Sequence, residues 1–356
     1  MTSLVVEPFA GVISDDTAPA LSLSVVLVAV EGMPSIRRTM RHLRTQTARR
    51  AMEVILVADR ADTIDVGALA GDAFGACRVV AVGPITQRGA AAAAGMLAAT
   101  TPVVALIEDH SFPEPGWAAA LLATHAGSWA GVGPVVENAN PTSAMSWVNF
   151  ILSYGAFSGS TPGGERDILP WHNSAYKRAS LDAFGDRLGA LLEWEGHLQD
   201  ELRATGHTLC LEPKARTHHM NVSRFTSTLG LNLQRGRILG AQRADREGWP
   251  YWRRLAQAAA CPLFPLLQLR HSAAPMREMA IPRALYARVY AGLAVTLCVM
   301  AVAEAWGLTA GAGDAIAKLE DYELHRLRHL AGIDLREAAL ADLETRAPGA
   351  DSLRRP

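Results

Sequence analysis

The sequence predicts an α/β fold: a mainly parallel sheet flanked by helices, followed by an α-helical C-terminal region. Three observations carry this. Between residues 21 and 212, apolar runs rich in β-branched residues alternate with helical stretches, the mark of βαβ units. Beyond residue 224 only helical periodicity remains. The chain has 356 residues, and at roughly 100–200 residues per domain that is about two units. The expected organisation is a flexible leader over 1–20, an α/β domain over 21–223 and a helical region over 224–356.

The first element is LSLSVVLVAV, Leu21–Val30, a near-continuous apolar run that predicts a strand buried on both faces. Pro34 then stands where a first helical residue would, and Ile36, Met40 and Leu43 recur at helical spacing, so 34–46 reads as an amphipathic helix. EVILVA, Glu53–Ala58, is the second strand and Arg78–Val82 the third. Gln87–Ala99 is almost all Ala, which predicts a helix packed closely on a sheet. Thr101–Pro102 stops it, and Val103–Ile107 is another buried strand. Loops are expected around 134–141 and 158–164, a helix over 188–205 and a short closing strand over His207–Glu212. The helical remainder divides into 224–247, a stretch broken at Pro262 and Pro265, then 283–306 and 315–331.

Composition narrows the function classes. Lys+Arg is 34 against Asp+Glu 35, a net charge of −1, which argues against a protein built mainly to hold nucleic acid. Cys77, Cys210, Cys261 and Cys298 lie far apart with no C-x-x-C pair, so the expected setting is reducing and cytoplasmic rather than secreted. Glu7, Asp15 and Asp16 near the start do not resemble a secretory signal. The longest uncharged apolar stretch, Val289–Ala303, has 15 residues, short of the about 20 that span a bilayer. No clean transmembrane helix is expected, and a helix lying on a membrane face stays open.

Chemistry concentrates at Glu108-Asp109-His110, immediately after the buried run VVALI. In open α/β sheets ligands bind beyond the carboxyl ends of the strands. Carboxylate and imidazole together suit Mn²⁺ or a similar divalent ion, whereas the alternative is a polar loop after a strand.

The stretch ALIEDHSFPEPGWAAAL resembles the aspartate-containing metal motif of family 2 glycosyltransferases, with Pro113, Pro115, Gly116 and Trp117 at the matching places. Three further segments resemble that family in the same order. They are SVVLVAVEGMPSIRRTMRHLRTQT with EVILVADRAD, then ILPWHNSAYKRASLDAFG, then LEWEGHLQDELRATGHTLCLEPKARTHH. The resemblance covers roughly residues 21–220. It implies the GT-A nucleotide-diphospho-sugar transferase fold and a displacement that inverts the anomeric centre. It also implies Mn²⁺ or Mg²⁺ as cofactor and a UDP-sugar as the commonest donor. The acceptor stays open between a glycan end, a lipid-linked glycan and a small molecule, and the apolar, Arg- and Trp-edged tail favours a glycan or lipid-linked glycan.

The same resemblance assigns residues. Ala29, Glu31, Asp59, Arg88, Glu108 and Asp109 match donor-binding positions, with Asp59 at the nucleobase and Glu108 at the ribose. Asp109, His110 and His219 match metal positions. His110 replaces the family's usual acid, and Ala58 and Trp194 also depart from its pattern. Trp171, His172 and Asn173 fall in the acceptor-side segment. The catalytic base aligns with Glu195, with Glu193 the neighbouring alternative. His218 and His219 are adjacent on an extended chain and must point to opposite faces, so only one can meet the ion.

Gln234-Arg235-Gly236-Arg237 shares the Gln-x-x-Arg spacing of processive synthases but lacks their following Trp, so transfer of single sugars is expected. Downstream, Arg243, Arg246, Arg253 and Arg254 mix with Trp249, Tyr251 and Trp252. That mixture suits a membrane headgroup zone, a reading that Arg283 and Arg288 before the 289–303 run favour over the alternative of a solvated helical surface packed on the catalytic domain. Two competing functions remain: a degenerate scaffold that holds a nucleotide sugar or lipid without turnover, and another nucleotide-using α/β enzyme. The latter lacks support, since neither P-loop nor G-x-G-x-x-G spacing is present.

Overall fold

The computed structural model describes residues 20–337; the expected leader (except Ala20) and the tail beyond 337 lie outside the described residues. The strands are β1 Leu23–Val28, β2 Met52–Ala58, β3 Ala76–Ala81, β4 Val103–Ile107, β5 Ser111–Pro113, β6 Gly131–Asn138, β7 Gly164–Arg166, β8 Ala175–Lys177 and β9 Leu209–His219. The helices are α1 Met33–Arg44, α2 Val66–Ala70, α3 Arg88–Ala98, α4 Trp117–His125, α5 Ala144–Tyr154, α6 Arg178–Asp182, α7 Leu188–Glu193 and α8 Glu195–Ala204. They continue with α9 Phe225–Arg246, α10 Tyr251–Ala260, α11 Phe264–Glu278, α12 Arg283–Ala310 and α13 Ala315–Leu324.

The chain divides into two units, one running to Glu137 and resuming over Thr161–His218, the other comprising Asn138–Ser160 and the chain from His219 onward. Residues 138–160, which the sequence places within the α/β stretch, group with the helical unit.

In the α/β unit the strand order is β3-β2-β1-β4-β8-β6-β9-β5, with β7 on β9. β3, β2, β1 and β4 are parallel, and β8 runs antiparallel to β4 and β6. The chain lays β2 and β3 to one side of β1 and β4 to the other, creating a topological switch point between β1 and β4. Both faces are covered, which is why β1 is apolar but for the buried Ser24. Leu23, Val25 and Leu27 pack with Ile36, Met40, Leu43, Trp117 and Leu121. Val26 and Val28 face the other way, toward Ala91, Ala92, Met96, Leu188 and Leu192. The Ala-rich α3 presses directly on the sheet at Gly95, where a Cβ would lie 2.5 Å from Val26 and 2.7 Å from Val57.

Three sequence expectations are corrected. The loop expected around 134–141 is largely β6, whose Gly and Pro content hid a buried strand, and α5 follows it at Ala144–Tyr154. The single helix expected over 188–205 breaks at Trp194 (φ −128°, ψ 85°) into α7 and α8. The closing strand extends past Glu212 to His219.

In the helical unit, α9 and α12 approach closely through small residues. A Cβ on Gly307 would lie 1.9 Å from the Arg237 carbonyl oxygen, and one on Gly240 2.2 Å from that of Glu304. A polar cluster links α5 to α9: Asn149 Nδ2 donates to the Val222 carbonyl at 2.8 Å and to Thr228 Oγ1 at 2.9 Å, and Asn232 donates to Asn149 Oδ1 at 2.9 Å. The helix containing the 289–303 run, α12, has 28 residues, with a mean hydropathy of 1.8 in its most apolar window. By length and composition alone it could cross a membrane, although a third of that window is buried in the protein.

Candidate active site at the carboxyl edge of the parallel strands

Strand register brings the sequence-predicted donor residues to one edge. Leu23 pairs with Met52 and with Val103, so, continuing the register, Asp59 comes level with Val30 and Glu108 with Val28. Neighbouring strands lie about 4.8 Å apart, which places the first residues after β1, β2 and β4 along one rim. Ala29 is buried, its N–H donating to the Val57 carbonyl at 2.7 Å. Glu31 and Asp59 are exposed. Asp59 Oδ1 accepts from the Arg60 N–H at 2.7 Å.

Glu108 is the centre of the buried polar group. Its Oε1 lies 3.4 Å from Arg88 Nη1 and 3.8 Å from His110 Nε2, and its Oε2 accepts from Asn173 Nδ2 at 2.8 Å. Arg88 is the first residue of α3, and its side chain is 12% exposed. A buried carboxylate is tolerated here because a cation and an amide donor compensate for lost water.

Asp109 and His110 form the turn after β4. Asp109 Oδ1 lies 2.7 Å from His110 Nδ1. That contact turns the other ring nitrogen, Nε2, toward Glu108. The turn is fixed from below by Thr39 of α1, whose hydroxyl lies 2.7 Å from the Asp109 carbonyl oxygen and 3.0 Å from that of Ser111.

Glu195 opens α8 and is wholly buried. Its carboxylate accepts from the Tyr176 hydroxyl and from the backbone N–H of His172. Gln199, one helical turn on, donates to the Tyr176 hydroxyl oxygen at 2.9 Å. Burial pushes the Glu195 carboxyl up to about 7, against the opposing pull of the Tyr176 and His172 hydrogen bonds. His172 holds φ at 59°, the one positive φ among the described non-glycine residues. That conformation costs of order 1–3 kcal/mol and turns its N–H toward Glu195. Trp171 and Trp194 meet edge to face at 5.6 Å. Glu193 ends α7, and its Oε2 accepts from the Gly89 N–H at 3.0 Å, a partly buried position at the start of α3.

The two histidines divide as the strand pleat requires. His218 Nε2 lies 3.0 Å from Glu114 Oε1 in a half-exposed cluster with Arg216. His219 is buried and closes β9, its Nδ1 2.9 Å from Asn221 Oδ1 and its ring 4.5 Å from that of Tyr154.

Sequence reasoning missed Tyr176, Gln199 and the backbone role of His172. Gln199 carried a signal, standing four residues after Glu195 and so on the same helical face. Tyr176 carried none, because its link to Glu195 joins a strand to a helix 19 positions on in the chain.

No family model matches the sequence, and no curated protein is detectably similar to it. Solved structures are. A mannosyltransferase, PcManGT from Pyrobaculum calidifontis, in complex with GDP-Man and Mn²⁺, superposes with a TM-score of 0.50 at 16% identity, covering 81% of this chain and 88% of that one. The fold is GT-A.

GalNAc-T7 with UDP, GalNAc and Mn²⁺ matches at 15% identity and TM-score 0.42, covering 56% of this chain. Residues 1–349 of S. aureus TarS match at 14% and 0.42, also over 56%. The chain spans 44% and 60% of the lengths of these last two. The GT-A assignment rests on the mannosyltransferase.

Proposed function

We propose that the protein is a family 2, inverting, metal-dependent glycosyltransferase. It moves a single sugar from a nucleoside-diphosphate sugar, a UDP-sugar first among candidates, to a hydroxyl on a glycan or lipid-linked glycan. The observation that carries this reading is the convergence of Arg88, Glu108, His110 and Asn173 at the carboxyl edge of β4, beside the switch point of a GT-A sheet.

A carboxylate and an imidazole whose tautomer is set by a neighbouring acid form a donor set that fits Mn²⁺ or Mg²⁺. Glu108, which the resemblance sets at the ribose, and His110 would hold the ion. Asp109, which the resemblance sets at a metal position, would orient His110, and His219 would join them on the strength of the sequence resemblance. Bound there, the cation would offset the charge of the departing nucleoside diphosphate. Arg88 adds a fixed positive charge for the same diphosphate. Ala29, Glu31 and Asp59 line the rim on which the nucleoside rests.

Glu195 is the proposed base, with Glu193 the alternative. As the acceptor oxygen attacks the anomeric carbon, the bond to the diphosphate oxygen breaks on the opposite face and the acceptor proton passes to Glu195. A carboxyl near 7 is matched to that task, because it is substantially ionised at neutral pH yet basic enough to take the proton. Each of its oxygens keeps a lone pair beyond the Tyr176 and His172 hydrogen bonds. Trp171, His172 and Asn173 flank the acceptor side.

Calorimetric titration of UDP and GDP, with and without Mn²⁺, tests the reading. Binding that needs both the metal and His110 supports it. A folded protein that binds no nucleoside diphosphate would favour a scaffold instead.

A further inference from the structure

We propose that the face formed by α10 and α11 docks onto the surface of an anionic lipid bilayer. The inference is independent of the transferase reading, since it uses neither the nucleotide rim nor Glu195.

The two helices present an outward apolar stripe. Trp252 is 70% exposed, Leu266 68%, Tyr251 61%, Leu263 60%, Leu267 59% and Leu255 47%. Within each helix the spacing gathers these side chains on one face rather than scattering them. Tyr251, Trp252 and Leu255 share a face of α10, and Leu263, Leu266 and Leu267 recur at i, i+3, i+4 with Arg270 completing the next turn. The inward side is separately satisfied: Cys261, Pro265, Ser272 and Met276 are buried. None of the α10 residues is fully buried, and Ala258 is the α10 hydrophobic that packs against the cluster of Ala244, Trp249, Cys261, Ala301 and Leu308.

Charge selects the occupant. Across α10, α11 and the turn between them, Tyr251–Glu278, the chain carries Arg253, Arg254, Arg270, Arg277 and His271 against a single acid, Glu278 at the end of α11. Arg254 is tied to Asp245 at 3.1 Å, and the Arg253 guanidinium lies over the Trp249 ring at 4.7 Å. Arg253, Arg270, His271 and Arg277 are exposed. A second copy of this face would set Arg against Arg, because a two-fold interface pairs a patch with itself. Anionic headgroups above an acyl boundary match every part: phosphates for Arg, the interfacial zone for Trp and Tyr, and hydrocarbon for Leu. The helices would then lie in the membrane plane rather than cross it.

Flotation of the full chain with vesicles tests this. Phosphatidylcholine vesicles containing phosphatidylglycerol should carry the protein, and those of phosphatidylcholine alone should carry about tenfold less or lower. Raising salt from about 0.1 M to about 0.5 M should weaken binding, as screening requires. Replacing both Trp252 and Leu266 by Ser should lower binding about tenfold or more with an unchanged melting temperature, since both side chains are exposed. Arg253→Gln with Arg270→Gln should lower it about fivefold or more on anionic vesicles only. Equal binding to both vesicle types that survives high salt is the behaviour of an inserted helix and overturns the proposal. So does a Trp252/Leu266 variant that floats like wild type. A chain that floats with neither vesicle but sediments as a dimer abolished by that variant also overturns it, in favour of self-association. Nucleotide titration on the same samples keeps this outcome separate from that of the transferase reading.

Discussion

The Tyr176 hydroxyl donates to the Glu195 carboxylate, and both side chains are fully buried. Their residues lie on a strand and a helix 19 positions apart in sequence. The donor lowers the carboxyl against the burial that raises it. Removing it with Tyr176→Phe should therefore raise the Glu195 pKa further. A hydrogen bond to a charged group contributes about 1.5–3 kcal/mol, equivalent to about 1–2 pKa units. The acidic limb of the kcat/KM profile should move alkaline by that amount. An unmoved limb would remove Glu195 from the role of base.

Glu195 also ties stability to pH. Its folded pKa, about 7, lies above the ordinary value of 4.5. The folded state thus holds its proton more tightly, and the associated stability is complete below about pH 4.5 and lost as pH rises through 7. The melting temperature should fall between pH 5 and 8, and Glu195→Gln should flatten that fall. The same variant should bind nucleoside diphosphate normally while transfer stops. If Glu193→Gln has that kinetic phenotype instead, the base lies two residues earlier, at the end of α7.

The Asp109–His110 contact makes a graded prediction. His110→Ala should abolish Mn²⁺-dependent nucleotide affinity, whereas Asp109→Ala should lower metal affinity by about 10–100-fold, the usual cost of losing a group that orients a ligand. Calorimetric titration of Mn²⁺ in the presence of nucleotide reads both. Equal and complete loss in both would make Asp109 a ligand in its own right.

The approach of α9 to α12 leaves no room at Gly307, where an added Cβ would meet the Arg237 carbonyl oxygen at 1.9 Å. Gly307→Ala should destabilise the protein by about 1–3 kcal/mol through overpacking. Thermal unfolding measures it, and a neutral result would mean the helices are less closely paired than described.

Much of the α/β unit was legible because its strands obey a local rule. A strand covered on both faces is apolar wherever a polar side chain has no buried partner: Val103–Ile107 is apolar throughout, and the one polar residue of Leu23–Val28, Ser24, is bonded to Glu53 and Thr101. Residues 131–154 were not legible for the converse reason. Gly131, Gly133 and Pro134 carry turn chemistry locally, but Gly131 faces Tyr176 and Leu209 too closely for a side chain, so a neighbour rather than propensity makes that segment a strand.

By itself, the sequence determined the alternation of buried strands and helices, and the position of Glu108, Asp109 and His110 immediately past a strand end. Those follow from apolar runs of strand length and from a helical period of 3.6, both of which a short window displays. The tertiary structure decided which groups meet: Arg88 and Asn173 on Glu108, Tyr176 and His172 on Glu195, Gly89 on Glu193. Each of these joins elements distant in the chain, and the environment of a buried carboxylate is set by such neighbours rather than by its own residue type.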